Sequence, residues 1–303
     1  MSSRVSSLAR PPATDAVRQA RLTGPSRRLD PRTHAYRADI ADIALAGRMV
    51  SPRFVVGVAM AAAGVVPMRA AASPDATQTS ELLPGESFTI FDRSGDWAWG
   101  QGASDAYVGW VEFSGLTAPL AGPTQTITAA QALLFSAPSL KSPVRGVLPL
   151  GAVVSLGDAE GDYVSTGGGW IHRRHVAPLT GDPVDLAGQF VGTPYHWGGR
   201  TRAGIDCSGL VQAVLTAHGV ECPRDSDQQR AAFPAVDPAA RQRGDLIFVP
   251  GHVGILVEPG LLLHANAWWM TTLVEPLDEF LSRLEAREFN VARPPCGTIA
   301  APL

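Results

Sequence analysis

The chain has 303 residues, 45% of them hydrophobic and 17% charged, with a formal net charge of −3 and a pI of about 6.2. That length allows two or three domains with well-filled cores. The near-neutral balance excludes the global basic field that nucleic acid or an anionic membrane would attract.

Three cysteines, Cys207, Cys222 and Cys296, are odd in number and lack Cys-x-x-Cys spacing, so neither a disulfide framework nor a zinc ribbon is indicated. A reducing compartment fits that usage. His172 and His175 have no cysteine or carboxylate pattern around them and read as surface residues at a strand end. No metal or cofactor is expected.

In chain order, the first thirty or so residues are rich in Ser, Pro, Ala and Arg without hydrophobic periodicity, which predicts a flexible, mildly basic lead-in. From there to about residue 50, Ile40, Ile43, Ala44 and Met49 interrupt polar residues irregularly and Pro52 stops any helix. One short helix or an ordered strap is expected. Residues 54–66 form an apolar run, with Arg48 and Arg53 before it and Arg69-Ala70-Ala71-Ala72 after it. The run is too short for a comfortable membrane span, so no stable span is expected. Two readings stay open: a buried strand or helix of an N-terminal extension over residues 1–77, or a secretory signal if translation starts at Met49. The first goes with a cytoplasmic protein, the second with a periplasmic one.

From Glu81 the pattern becomes short strands and turns: Ser87-Phe88-Thr89-Ile90-Phe91, then Trp97-Ala98-Trp99-Gly100, then Tyr107-Val108-Gly109-Trp110-Val111. Strands of about five residues at this spacing predict a small all-β barrel. A second unit repeats the plan, with strands near residues 131–135, 144–156, 161–164 and 168–171. The two units cover residues 78–120 and 124–179.

Asp182-Pro183-Val184-Asp185 opens a last domain, residues 182–297, with a helix before the Gly192-Thr193-Pro194-Tyr195 turn. Consecutive strands at 246–249, 251–257 and 261–265 beside helices make this domain α+β. Within it, a glycine-rich loop, Tyr195-His196-Trp197-Gly198-Gly199, leads to Gly204-Ile205-Asp206-Cys207-Ser208-Gly209-Leu210-Val211. Cys207 falls in the first turn of a predicted helix whose apolar face carries Leu210, Val211, Val214 and Leu215 and which ends near His218-Gly219. A helix N-terminus favours thiolate over thiol, which makes the sulfur a nucleophile. A hairpin across Glu258-Pro259-Gly260 sets residues near 252–254 opposite residues near 264–266, so His252 and His264 become neighbours. A thiolate, a general base and a histidine orienting that base through its second nitrogen is the logic of acyl-transfer enzymes.

These blocks, together with Gly244-Asp245-Leu246, Gly251-His252-Val253-Gly254-Ile255 and His264-Ala265, resemble the NlpC/P60 cysteine peptidases. Pro84-Gly85-Glu86, Trp97-Ala98-Trp99 and Asp105-Ala106-Tyr107-Val108-Gly109-Trp110-Val111 resemble bacterial SH3-like domains, an architecture of the γ-D-glutamyl-L-diamino-acid endopeptidases. The resemblance implies a papain-like α+β catalytic domain behind two SH3-like barrels, acting on murein tripeptides or tetrapeptides in cell-wall peptide recycling. It assigns Cys207 as nucleophile, His252 as base and His264 as third polar residue, with the Cys207 N–H and Tyr195 at the oxyanion. Glu86, Tyr107 and Asp206 fall where relatives bind a free L-Ala amine, and Ser208, Asp225 and Ser226 match further substrate contacts. Cys222 and Cys296 match no role and read as packing residues. Other functional readings are an exported hydrolase of intact peptidoglycan and a catalytically degenerate wall-binding module. No oligomeric state is implied.

Overall fold

The computed structural model describes residues 29–285 and 288–295. The predicted lead-in, but for its last residues, and Cys296 lie outside the described residues.

The first antiparallel sheet has seven strands: β1 (Val58–Ala62), β2 (Val66–Arg69), β3 (Gln78–Leu82), β4 (Ser87–Ser94), β5 (Trp97–Gly102), β6 (Val108–Glu112) and β7 (Leu116–Thr117). Their order is β3-β2-β6-β5-β4-β1-β7. Met68, Leu82, Phe88, Ala98, Tyr107 and Val111 fill its core. The expected boundary at residue 78 is corrected by β1, which pairs along β4 from Val58↔Ile90 to Ala61↔Ser87, and by β2, which pairs with β3. The run at 54–66 therefore enters this sheet from Val58 onward, while Phe54–Val55 pair with Ala41–Asp42. Its alanines and Gly64 lack the large alternating side chains that mark a strand in sequence.

Ahead of the sheet, residues 29–53 form the ordered strap alternative, with a two-residue strand at Ala41–Asp42 that pairs in parallel with Phe54–Val55 and a 3-10 turn at Ile43–Leu45. Ala35 and Ile40 bury against Trp99, and the Arg37 guanidinium lies over the Trp99 and Trp110 rings at 4.6 and 5.1 Å.

The second sheet comprises β8 (Thr124–Thr126), β9 (Gln131–Phe135), β10 (Val144–Pro149), β11 (Val153–Glu160), β12 (Tyr163–Thr166) and β13 (Gly169–His172), in the order β8-β11-β12-β13-β9-β10. Ile127, Ala132, Ala152 and Ile171 are its core. It docks on the β3–β4 turn, where the Val153 N–H donates to the Pro84 carbonyl at 2.8 Å. Gly85 has φ +76°, and a Cβ there would lie 2.0 Å from the Val153 oxygen, so only glycine fits. His172 and His175 stand half-buried at the end of this sheet, their rings 5.9 Å apart.

The last domain contains α1 (Pro183–Gly188), α2 (Cys207–Ala217), α3 (Ser226–Ala232), β14 (Ala235–Val236), β15 (Leu246–Val249), β16 (His252–Glu258), β17 (Leu261–Asn266), β18 (Thr271–Pro276), α4 (Leu277–Arg283) and β19 (Asn290–Ala292). Its antiparallel sheet runs β14-β19-β15-β16-β17-β18. Leu210, Val211, Val214 and Leu215 of α2 are buried against it, with Val253, Ile255 and Leu263. Each such side chain contributes about 1.5–3 kcal/mol of apolar burial. That packing fixes the helix start over the strand that begins with His252. The domain is α+β, as expected. No described helix is long and apolar enough to cross a membrane.

Candidate active site

Asp206 caps α2, its Oδ1 accepting from the Gly209 N–H at 2.7 Å, so the helix starts on Cys207. The Ser208 and Val253 N–H groups face the sulfur and favour the thiolate, as does the Arg224 charge. Burial and the Asp206 carboxylate outweigh them and push the thiol up to about 12. The expectation of a resting thiolate is thus corrected: the helix N-terminus is present, but the site is closed and an acid adjoins it. Burial first, then the nearby Cys207 and Asp206, raise the Tyr195 phenol above its ordinary value.

Behind the thiol runs a chain of hydrogen bonds. His252 Nε2 and His264 Nδ1 are 2.7 Å apart, and His264 Nε2 lies 2.8 Å from Glu275 Oε1. Burial pushes the Glu275 carboxyl up, but Arg283, donating at 2.6 Å, and His264 hold it on balance below the usual carboxylate range. A carboxylate only accepts, so His264 Nε2 carries the proton and Nδ1 must accept. His252 then donates through Nε2, and its Nδ1 is left with a lone pair for the thiol proton. Burial first, then the neighbouring His264, hold His252 down at about 3, and burial holds His264 at about 4. Both rings are neutral at physiological pH. Phe280 of α4 packs on both, at ring distances of 5.3 and 4.9 Å. Gly254 leaves the space His264 needs, since a Cβ there would lie 3.0 Å from the His264 Cβ.

The opposite side of the site is assembled between domains. Arg224, 1% exposed, makes a fork to Asp206 at 2.9 and 2.6 Å, touches the Ser208 hydroxyl at 2.9 Å and reaches Ser80 of β3 at 3.1 Å. Arg200 binds Glu86 at 2.8 and 3.0 Å and donates its backbone N–H to Glu81 at 2.8 Å. The Tyr107 hydroxyl meets both Asp225 oxygens, at 3.1 and 3.3 Å. Gly198 sits so close to β3 that a Cβ would come within 2.9 Å of Gln78.

Of the residues expected here, His252 and His264 are in contact and Cys207 faces the N–H of Val253, the residue after His252, with Tyr195 beside the thiol. Tyr107, Asp225, Asp206 and Ser208 lie on the second side, and Ser226 shares a cavity of about 570 Å³ with the Val249, Pro250 and Gly251 turn preceding His252. Two expectations are corrected. Glu86 is closed off, its oxygens held by Arg200 and the Leu83 N–H. Asp206 likewise spends both oxygens, on Arg224, Gly209 and the Gly198 N–H at 2.8 Å, so it organises the loop. The carboxylate on the loop side is Glu81, 3.8 Å from the half-exposed His196 and raised by burial. Glu81, Arg224 and Glu275 were not singled out in the sequence; the run Cys222-Pro223-Arg224-Asp225 was the nearest signal. Cys222 is buried in the core beside α2, as expected for packing. Among the described residues no three His, Cys, Asp or Glu are grouped to hold a metal ion.

The site thus sets a buried thiol beside a His252–His264–Glu275 chain at a helix-to-sheet junction, with an SH3-like sheet as one wall. Residues 192–277 match the NlpC/P60 family, and residues 68–116 match the bacterial dipeptidyl-peptidase Sh3 domain. The chain carries an NlpC/P60 domain preceded by a bacterial dipeptidyl-peptidase SH3 domain. It is 28% identical over 234 residues to a gamma-D-glutamyl-L-lysine dipeptidyl-peptidase of Bacillus cereus, covering 66% of this chain and 70% of that protein. It is 38% identical over 98 residues to dipeptidyl-peptidase 6 of Lysinibacillus sphaericus, covering 32% of this chain and only 36% of that one. The fold is shared with an NlpC/P60 family protein from Bacillus cereus, with a TM-score of 0.68 at 21% identity over 79% of this chain and 100% of the other. A hydrolase of the peptidase class is what these family matches support.

Proposed function

We propose that this chain is a cysteine endopeptidase that hydrolyses the γ-D-Glu–diamino-acid bond of murein peptides bearing a free N-terminal L-Ala, in cell-wall peptide recycling. The observation that carries the chemistry is the 2.7 Å contact between His252 Nε2 and His264 Nδ1, which leaves the other His252 nitrogen as a base for Cys207. Because thiol and imidazole both rest neutral, the proton passes from Sγ to His252 Nδ1 as sulfur attacks the carbonyl carbon. The oxyanion is held by the Cys207 N–H, with Tyr195 at its side. The C–N bond then breaks, His252 returns the proton to the leaving amine, and water hydrolyses the thioester by the reverse relay. Tyr107 and Asp225 receive the substrate ammonium, with Glu81 in the part first assigned to Glu86. The wall formed by the first sheet disfavours a glycan-linked chain.

A cytoplasmic location belongs to this reading. Cleavage near Ala72 would strip β1 and β2 from the first sheet, where β1 lies between β4 and β7. The test is release of L-Ala-γ-D-Glu from free L-Ala-γ-D-Glu-diaminopimelate. Activity persisting in Cys207→Ala would overturn the mechanism, and equal cleavage of the N-acetylated peptide would overturn the amine subsite.

A further inference from the structure

The strap lies outside both matched regions, yet it sends a charged side chain into the recognition side of the site. Its backbone is tied to the first sheet: the Val108 N–H donates to the Arg32 carbonyl at 2.8 Å, and Gln101 donates to the Thr33 carbonyl at 2.9 Å. From that anchor the Arg32 guanidinium crosses to the catalytic domain. Nη1 donates to Asp225 Oδ2 and Asp227 Oδ1, each at 2.9 Å, and Nη2 to Asp227 Oδ2 at 2.8 Å. Asp30 holds the near edge of the same guanidinium, and Gln228 donates to Asp30 at 3.1 Å. Asp225 itself is at the N-cap of α3 but makes no side-chain capping bond. An N-cap aspartate normally stabilises its helix by about 1 kcal/mol. Here the carboxylate turns away to Arg32 and to the Tyr107 hydroxyl.

We propose that Arg32 is a positioning residue for substrate recognition: from outside the catalytic domain it holds the Asp225 carboxylate against Tyr107, where the ammonium of the substrate's N-terminal residue docks. This rests on the amine subsite proposed above. The groups facing Asp225 are Arg32 from the strap, Tyr107 from the first sheet, Arg224 from the preceding position and Asp227 from α3. Burial lifts its carboxyl above the usual range and Asp227 adds to the lift, while Arg224, Arg32 and the Tyr107 hydrogen bond oppose it. Without Arg32 the carboxyl takes up a proton at higher pH, and a neutral carboxyl holds an ammonium poorly. Cys207 and His252 are untouched, so the effect falls on binding.

The experiment uses the full chain with Arg32→Met and, as an isosterically milder neutral variant, Arg32→Gln, assayed on the free tripeptide across about pH 5 to 8. KM is expected to rise about tenfold at the acid end and approach wild type at the alkaline end, with kcat within about twofold and Arg32→Lys recovering most of the profile. A KM that is unchanged, or raised equally at every pH, overturns the inference, the second result marking a tether only. Asp225→Asn separates the two readings. If it leaves KM unchanged in the wild-type background, the amine subsite is wrong. If it raises KM while the Arg32 variants show no acid-limb shift, only the role of Arg32 is wrong.

Discussion

The two sides of the proposed active site, one proposed for chemistry and one for recognition, are built in different ways. The chemical side lies within one sheet: His252 on β16, His264 on β17 and Glu275 on β18 are brought together by strand pairing, and α4 covers them with Phe280. The recognition side is made across domains, by Arg224 to Ser80, Arg200 to Glu86 and Tyr107 to Asp225. Strand register places groups rigidly for proton transfer. An interdomain wall lets one catalytic sheet serve different substrates when its partner domain changes. Damage to the first side therefore falls on kcat, and damage to the second on KM or on domain docking.

Glu275→Gln attacks the chemical side most directly. A Gln amide can donate to His264 Nε2, which reverses the tautomers and turns His252 Nδ1 from acceptor to donor. A kcat loss of about 10²- to 10⁴-fold with little change in KM is expected. Wild-type kcat in that variant would remove Glu275 from the chain. Glu86→Ala tests whether the recognition side has a structural carboxylate. Leaving Arg200 buried and unpaired costs about 3–5 kcal/mol in denaturant unfolding. A raised KM at unchanged stability would return Glu86 to the substrate.

Tyr107→Phe takes one hydroxyl from the wall and is expected to raise KM about tenfold while leaving kcat intact. A fall in kcat alone would move Tyr107 to the chemical side. Acid titration distinguishes the sides by stability. His252 and His264 have folded values below the ordinary 6.5, at about 3 and about 4, so the unfolded chain binds their protons first. Stability contributed by the neutral rings is full above 6.5 and declines as pH falls toward those folded values. His264→Asn is expected to flatten the slope of unfolding free energy between about pH 6 and 4, and an unchanged slope would contradict the burial argument. Smallest is Ile171→Val in the second sheet, with a loss of about 0.5–1.5 kcal/mol and no effect on KM. A KM change there would bring the second sheet into recognition.

Legibility in the sequence follows the same division. Cys207, His252 and His264 could be read because a helix start and a hairpin are local patterns. Glu275 escaped because it lies opposite Leu262 on the next strand, two positions along the same face from His264, and that register is set by tertiary pairing. Glu86 was misassigned and Glu81 missed for a related reason. Both are acids of one strand-turn segment, and only the docked Arg200 decides which one closes an ion pair and which one faces the loop. The ordinary thiolate argument failed at Cys207 because helix position is visible in sequence while desolvation is not. The strands at 58–69 were blurred by small residues whose pairing partners come later in the chain.

Arg200 also bears on how the molecule is made. Glu81 and Glu86 leave the ribosome long before residue 200, and the Arg200 backbone N–H that binds the first carboxylate and the guanidinium that binds the second arrive only with the last domain. Until then the nascent first sheet holds two acids without their partner on the surface that will become its interface. Domains generally fold as units in order of synthesis. Here the early unit reaches its final charge balance only when the late one docks, so completion of the chain and closure of the active-site wall become a single event.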